Sequence, residues 1–424
     1  MFIRKNFSLL NILLVLLLIV GFTISTFAQE NVKIGVLYPL TGPIANSGRN
    51  CLNAVELAVS IINEEHPELS LDLAPTAGLP NLNGAKIELV TGNTQSEPEY
   101  AKADAERLIT MEKVCALLGS YESGTTKPSS QVAEKYGTPY ITGISTSAAL
   151  TERGYKYFFR TTQTINEEVI GVMAILKSLN EEKNANIKTI GMIFCNTENG
   201  MSNHDKMEKA LKENGNFEIV SDITFPLGIT DFESEVLLLK QADPDMVIST
   251  FVTPDLILFI NTCKKINYMP KGYIGIDMTL PEPEFLDTVG EDGNFLITKN
   301  VFALDLMDKN PLLKKVNEMY HNAYGANLDG NNIRAFTAMM TLADAINRAG
   351  STDKEAIRKA LVETDISPDQ LIVMWEGVKF DETGQNVLAT PIFQQMLDEK
   401  LVTIWPFEVA SLEVVYPLPK WEER

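Results

Sequence analysis

The chain has 424 residues, 45% of them hydrophobic, with 56 acidic residues against 36 basic ones and a formal net charge of −20. This length suggests two or three domains. So acidic a surface argues against nucleic acid or an anionic membrane as partner.

The N-terminus reads as a secretory leader, residues 1–28. Arg4 and Lys5 form its charged region, residues 9–20 its apolar core, and Thr26, Phe27 and Ala28 a small-residue cleavage site before Gln29. The run 7–28 is long enough to span a membrane, but Ser8 and Asn11 interrupt its start and Ala28 fits cleavage. Removing 28 of 424 residues leaves 396, and losing two basic residues moves the net charge from −20 to −22. No Cys stands at the cleavage site, so the mature chain is expected to diffuse freely in the periplasm, not embedded in the membrane. Cys51, Cys115, Cys195 and Cys263 match no zinc or redox spacing and sit in apolar contexts, which points to buried free thiols. Three scattered histidines make a histidine metal site improbable, and neither a metal nor a cofactor is expected.

The mature chain opens with a strand at 32–38 and a helix near 47–64, where Leu52, Val55, Ala58, Val59 and Ile62 recur at helical spacing. The segment 65–84 holds three prolines and two glycines and reads as a long surface loop, either a tolerated insertion or a flap near a cleft. A strand at 87–91, a helix at 98–111, a strand at 114–118, a helix from about 124 to 136 and a strand at 139–142 follow. A second series then begins: helix 167–179, strand 189–194, helix 202–214, strand 218–223, helix 231–241, strand 246–249, helix 254–266 and strand 272–276. Helices at 311–324, 332–349 and 354–363 come next, and the stretches 371–380 and 391–406 read as strand-like. Two successive βα series of similar size predict an α/β chain with two doubly wound, Rossmann-like lobes.

The segment 117–161 carries the strongest functional signal. Two short apolar runs each end in a burst of Ser, Thr and Gly, just past the carboxyl end of a predicted strand. Ligands of open α/β sheets bind there. These loops offer hydroxyls and backbone amides but no nucleophile–base pair, chemistry that suits gripping a small polar molecule. The stretch 119–126 spaces two glycines like a phosphate loop, but Thr125 stands where lysine is required, and no GxSxG, GxGxxG or HExxH motif occurs. An enzyme is not expected.

The chain resembles type I periplasmic binding proteins of the leucine/isoleucine/valine-binding family, the substrate-binding proteins of ABC importers. The likeness rests on VKIGVLYPLTGPIANSG (32–48), GAKIELVTGNTQSEPEYAKADAERLI (84–109), ALTERGYKYFFRTT (149–162), AGSTDKEAIRKAL (349–361) and VKFDETGQ (378–385), in that order over the mature chain. It implies two lobes that close on a ligand about a three-crossover hinge, lobe 1 taking 29–164 and 303–384, and lobe 2 taking 165–302 and 385–424. It also implies an amino-acid-like ligand and permease partners. Residue by residue, Ser123 matches the serine that contacts the ligand carboxylate, and Thr146, beside Ser145, the threonine that adds hydroxyl and backbone groups. Ile144 falls where a backbone carbonyl meets the ammonium, and Asp277 in GYIGIDM matches the acidic residue that pairs with it. The bland readings stand beside these: Ser123 as a helix cap, Ser145 and Thr146 as turn residues, Asp277 as a solvated carboxylate. Two family aromatics are replaced, by Ser47 and Asn199, which puts branched-chain amino acids in doubt and suggests a wider, more polar pocket. Asn199 either bonds a polar ligand or starts a turn with Gly200. Phe251 and Tyr121 are candidate replacement surface, with a core role equally open for Phe251. A periplasmic sensor that signals to a membrane receptor would share the same two lobes.

Overall fold

The fold is described from a computed structural model covering residues 31–277, 279–407 and 410–423; the expected leader lies outside the described residues. Short apolar runs build a first sheet from β1 (Val32–Tyr38), β2 (Ile87–Asn93), β3 (Ala116–Gly119), β4 (Tyr140–Thr142) and β5 (Phe158–Arg160). The strands are parallel in the order β2-β1-β3-β4-β5, with Val36 opposite Leu118 and Leu118 opposite Ile141. Strand order reverses between β1 and β3, so the loops leaving their carboxyl ends splay apart and open a crevice. Helices α1 (Ala45–Asn63), α2 (Pro98–Thr110) and α3 (Ser123–Lys135) connect them. α1 buries Leu52, Val55, Ala58, Val59 and Ile62, the stripe its spacing predicts, and Cys51 beside them.

The second series repeats the plan. β6 (Thr189–Cys195), β7 (Glu218–Phe225), β8 (Met246–Thr250), β9 (Tyr273–Gly275) and β10 (Ile297–Asn300) alternate with α4 (Ile165–Glu182), α5 (Glu198–Asn214), α6 (Glu233–Ala242), α7 (Thr253–Lys265) and α8 (Pro283–Val289). The parallel order β7-β6-β8-β9-β10 again reverses, here between β6 and β8. α9 (Pro311–Tyr324), α10 (Asn332–Ala349) and α11 (Lys354–Val362) return to the first core, where Ile333, Phe336, Leu342 and Ile346 of α10 join Val36 and Val55. A two-stranded ribbon, β11 (Asp365–Ile366) with β12 (Val378–Lys379), precedes an antiparallel hairpin, β13 (Ile392–Leu397) and β14 (Lys400–Trp405), that extends the second sheet beyond β10.

The chain therefore passes between the sheets three times, near 161–164, 301–303 and 387–391. The crossings are laced to one another. Asn386 N donates to Arg160 O at 2.9 Å, Gln385 Nε2 to Thr162 O at 2.8 Å and Asn386 Nδ2 to Thr161 O at 2.8 Å.

Two expectations need correction. The stretch 371–380 is strand only at β12; Leu371, Ile372, Val373 and Trp375 are buried in irregular chain, so their apolar run reflects core contact and not a ladder. The segment 65–84 is no free surface loop, because Leu69, Leu71, Leu73, Ala74 and Leu79 are buried in the first core. It is tied to distant chain by bonds between Gln370 and residues 70 and 72 and by Asn81 N donating to Asn347 Oδ1, and it contributes nothing to the cleft described below. β5, α8, β10 and β11 go beyond the sequence reading; three, seven, four and two residues long, they are too short to show a period. The four cysteines are buried free thiols.

Candidate functional site

The loops at the carboxyl ends of both sheets face one another across a cavity of about 260 Å³. That is small beside the ~300–1,000 Å³ of pockets that take drug-sized ligands. Ser47, Ser123, Ile144, Ser145, Thr146, Asn199, Phe251 and Asp277, the residues singled out above, all line it. Both topological switch points feed it: residues after β1, β3 and β4 form one wall, and residues after β6, β8 and β9 the other.

Gly119 makes the first wall possible. Its φ is +134°, and a Cβ there would lie 2.3 Å from Leu37 O, so only glycine lets the chain leave β3 this way. Four residues on, α3 begins at Ser123. Glu122 is its N-cap residue, which overturns the reading of Ser123 as the cap. Ser123 Oγ instead accepts from Ser147 N at 3.2 Å. Thr146 Oγ1 accepts from Asn199 Nδ2 at 2.6 Å. Neither hydroxyl proton has an acceptor among the described residues, and the amides of Ser123, Gly124 and Thr125 have no intrahelical partner at a helix start. Two loaded hydroxyls and a positive helix end thus converge on the cavity, an arrangement that favours a carboxylate.

Neighbouring residues serve the scaffold. Ser145 Oγ pairs with Thr126 Oγ1 at 2.6 Å and lies 3.1 Å from Tyr121 O, holding the two loops together. Ile144 O accepts from Arg334 Nη1 at 3.3 Å, so a guanidinium already occupies one side of this carbonyl. Arg334, in the first turn of α10, also donates to Gly330 O, Thr162 Oγ1 and Asn331 Oδ1. Arg160, fully buried, clamps the loop from beneath, donating to Ser147 O at 2.7 Å, Ser145 O at 3.3 Å, Thr151 Oγ1 at 2.8 Å and Gln385 Oε1 at 2.6 Å.

On the second wall Asp277 is buried, not a solvated loop carboxylate. It accepts from Phe251 N at 2.8 Å and from the backbone and hydroxyl of Thr279. Burial nonetheless raises its carboxyl above the usual range. Asn199 starts no turn; Thr197 caps α5 by accepting from Gly200 N, and Asn199 reaches across to Thr146. Phe251 is a core ring first, packed tilted against Phe225 and Phe259 and edge-on to Phe232 at 4.9–5.7 Å, with its backbone amide orienting Asp277. Thr250 Oγ1, buried in the same wall, has no partner among the described residues. At the floor, Lys299 pairs with the buried Glu168.

The sequence reading misses Glu282. This carboxylate, 3% exposed, accepts four hydrogen bonds: from Ser47 Oγ at 2.7 Å, Thr253 Oγ1 at 2.6 Å, Tyr121 OH at 2.8 Å and Asn331 Nδ2 at 2.9 Å. Ser47 thus spends its hydroxyl on Glu282, and Tyr121 does the same. Burial, with Asp329 nearby, pushes Glu282 up to about 7 despite its donors. Arg334 does carry a sequence signal: it is a lone charge in the apolar run from Ile333 to Met340. Among the described residues no cluster of acidic, His or Cys side chains could hold a metal ion, and no helix is long and apolar enough to cross a membrane.

A family profile described as periplasmic binding protein matches residues 31–398. The Leu/Ile/Val-binding protein homolog 7 of Brucella abortus (strain 2308) is 28% identical over 397 residues, 92% of this chain and 95% of its own length. Homolog 8 of the same strain is 29% identical over 395 residues, 92% and 94% of the two chains. Among solved structures, the branched-chain amino acid transporter substrate binding protein LivJ from Streptococcus pneumoniae, in complex with isoleucine, has a TM-score of 0.74 at 22% identity and covers 92% of this chain and 100% of its own. A solute binding protein of an ABC transporter from Rhodopseudomonas palustris BisB5, in complex with 3,4-dihydroxy benzoic acid, has a TM-score of 0.72 at 19% identity, covering 91% and 98%. With the doubly wound pair of sheets and the cleft between their carboxyl ends, these matches establish that the chain belongs to the type I periplasmic binding proteins, in the leucine/isoleucine/valine-binding family.

Proposed function

We propose that this protein is the periplasmic solute-binding component of an ABC importer and captures an amino acid or a related small carboxylate or amide in the cleft. One observation carries this reading. The free hydroxyl protons of Ser123 and Thr146 and the unpaired amides of the α3 start converge on one wall, and the carboxylate of Asp277 lines the other. A ligand with an anionic group at one end and a donor at the other satisfies both. Arg334 already donates to Ile144 O, and Asp277 carries the negative charge that pairs with a ligand ammonium. Where family aromatics would enclose an apolar side chain, Ser47 and Asn199 make the enclosure polar, and Thr250 Oγ1 offers one more polar contact. Lobe 1 (29–164 and 303–384) and lobe 2 (165–302 and 385–424) would close over the ligand and present it to permease subunits.

The test is a thermal-shift screen of the mature protein against amino acids, amides, small carboxylates and urea. Binding to the folded state raises the unfolding temperature with ligand concentration. A carboxylated compound should do so and be recovered unchanged after incubation. Stabilisation only by compounds that lack a carboxylate would overturn the role given to Ser123 and Thr146, and an empty screen or chemical conversion of the bound compound would overturn the proposal.

A further inference from the structure

Glu282 lies just before α8 on the second sheet's side, where Leu280 and Phe285 sit in that sheet's core. Thr253, in the first turn of α7, is on the same side. The other three donors come from the opposite side. Ser47 is on α1, Tyr121 follows β3, and Asn331 is the N-cap residue of α10. All four donor residues line the cavity. One buried carboxylate therefore gathers polar groups from both walls, and both of its oxygens are doubly occupied.

We infer that Glu282 is a positioning residue that latches the cleft shut: its carboxylate draws Ser47, Tyr121 and Asn331 across the gap and fixes the wall they form, without touching the ligand. Opening must break three of its four bonds at once. Hydrogen bonds to an ionised acceptor are stronger than neutral ones, so above about pH 7, where Glu282 is ionised, the latch sets how long the closed state lasts. It also accounts for Ser47. The short side chain at that position places its hydroxyl 2.7 Å from the carboxylate. Among the described residues Asn199 with Thr146, at 2.6 Å and partly buried, also crosses the cleft as a single neutral bond, while Asn46 with Glu284 and Lys127 with Glu198 are exposed and contribute little by comparison.

The purpose of the latch rests on the capture reading, but its action can be read without any ligand. Lys127 Nζ and Glu198 Oε1 meet 3.2 Å apart across the cleft, and the four native thiols are buried. The full mature chain carrying Lys127→Cys and Glu198→Cys is treated with a short bismaleimide, with and without Glu282→Gln. The glutamine amide keeps the shape but presents N–H groups to donors. Crosslinking should slow about tenfold or more in the Glu282→Gln background. The double variant Ser47→Ala/Tyr121→Phe, which breaks the latch from the opposite wall, should slow it likewise. Once a ligand is known, its dissociation rate should rise by a similar factor while its association rate stays within about twofold, a split that a purely structural role would not produce. Unchanged crosslinking in both variants, or a loss confined to the association rate, would overturn the latch. An empty ligand screen with slowed crosslinking would overturn only the capture reading.

Discussion

Thr146→Val tests the first wall with minimal change of shape. Valine is β-branched like threonine and puts a methyl where the hydroxyl stood. In the structure that oxygen accepts from Asn199 Nδ2 at 2.6 Å, and its proton has no acceptor among the described residues. Two losses add. A donor to a ligand carboxylate is charge-assisted and contributes about 1.5–3 kcal/mol. The bond to Asn199 contributes about 0.5–1 kcal/mol, because Asn199 is only partly buried and water can replace its partner. Together these come to about 2–4 kcal/mol, or about 30- to 1,000-fold in dissociation constant. Isothermal titration calorimetry with the compound found by the screen measures it, and the ligand-free unfolding temperature serves as the control for folding. A dissociation constant within about threefold of wild type would place the Thr146 hydroxyl outside the ligand's reach and refute the convergent-donor reasoning.

Ser123→Ala should weaken binding by about one to two orders of magnitude, since it removes a ligand donor and strands the buried amide of Ser147; unchanged affinity by calorimetry would contradict this. Asp277→Asn should cost a zwitterionic ligand about 10- to 100-fold while leaving a ligand without an ammonium much less affected, so paired titrations with an amino acid and its deaminated analogue check it. Arg160→Met should lower stability by about 3 kcal/mol or more by denaturant unfolding, because four buried acceptors lose their donor and the Ser145–Ser147 loop is released. Asp329, which accepts from the backbone of Asn331 and Asn332, is pushed up to about 6 by burial. A raised carboxyl binds its proton more tightly in the folded state, so its contribution is fully present below pH ~4 and is lost as pH rises through about 6. That loss is of order 3 kcal/mol. Denaturant unfolding between pH 4 and 7 should show a downward slope that Asp329→Asn reduces; an unchanged slope would rule Asp329 out as its source.

Much of this architecture is legible in the sequence because its causes are local. Runs such as residues 32–38 and 246–249 are apolar on both faces, as parallel strands buried between helices require, and the Ser/Thr/Gly bursts after β3 and β4 mark where their loops open. Ser123 and Thr146 are found the same way, with the family segments supplying their roles. The errors have physical sources too. The apolar stretch 371–380 mimics a strand because burial, not pairing, selects its side chains. Ser123 reads as a helix cap because the reading starts the helix at 124, one residue late, and Glu122 takes the cap position. Glu282 stays hidden because its partners are 29, 49, 161 and 235 residues away, and nothing in the local Pro-Glu-Pro context signals a buried carboxylate. The Lys299–Glu168 pair, 131 residues apart, is hidden for the same reason.

The central claim is that the cleft grips a small molecule by its carboxylate between two facing walls. Its most direct test is calorimetric titration of the mature protein with the best compound from the screen and with the methyl ester of the same compound. The account predicts measurable binding of the free acid and at least about 30-fold weaker binding of the ester, because esterification removes the charge that Ser123, Thr146 and the α3 amides are arranged to meet. Equal affinity for acid and ester would contradict it.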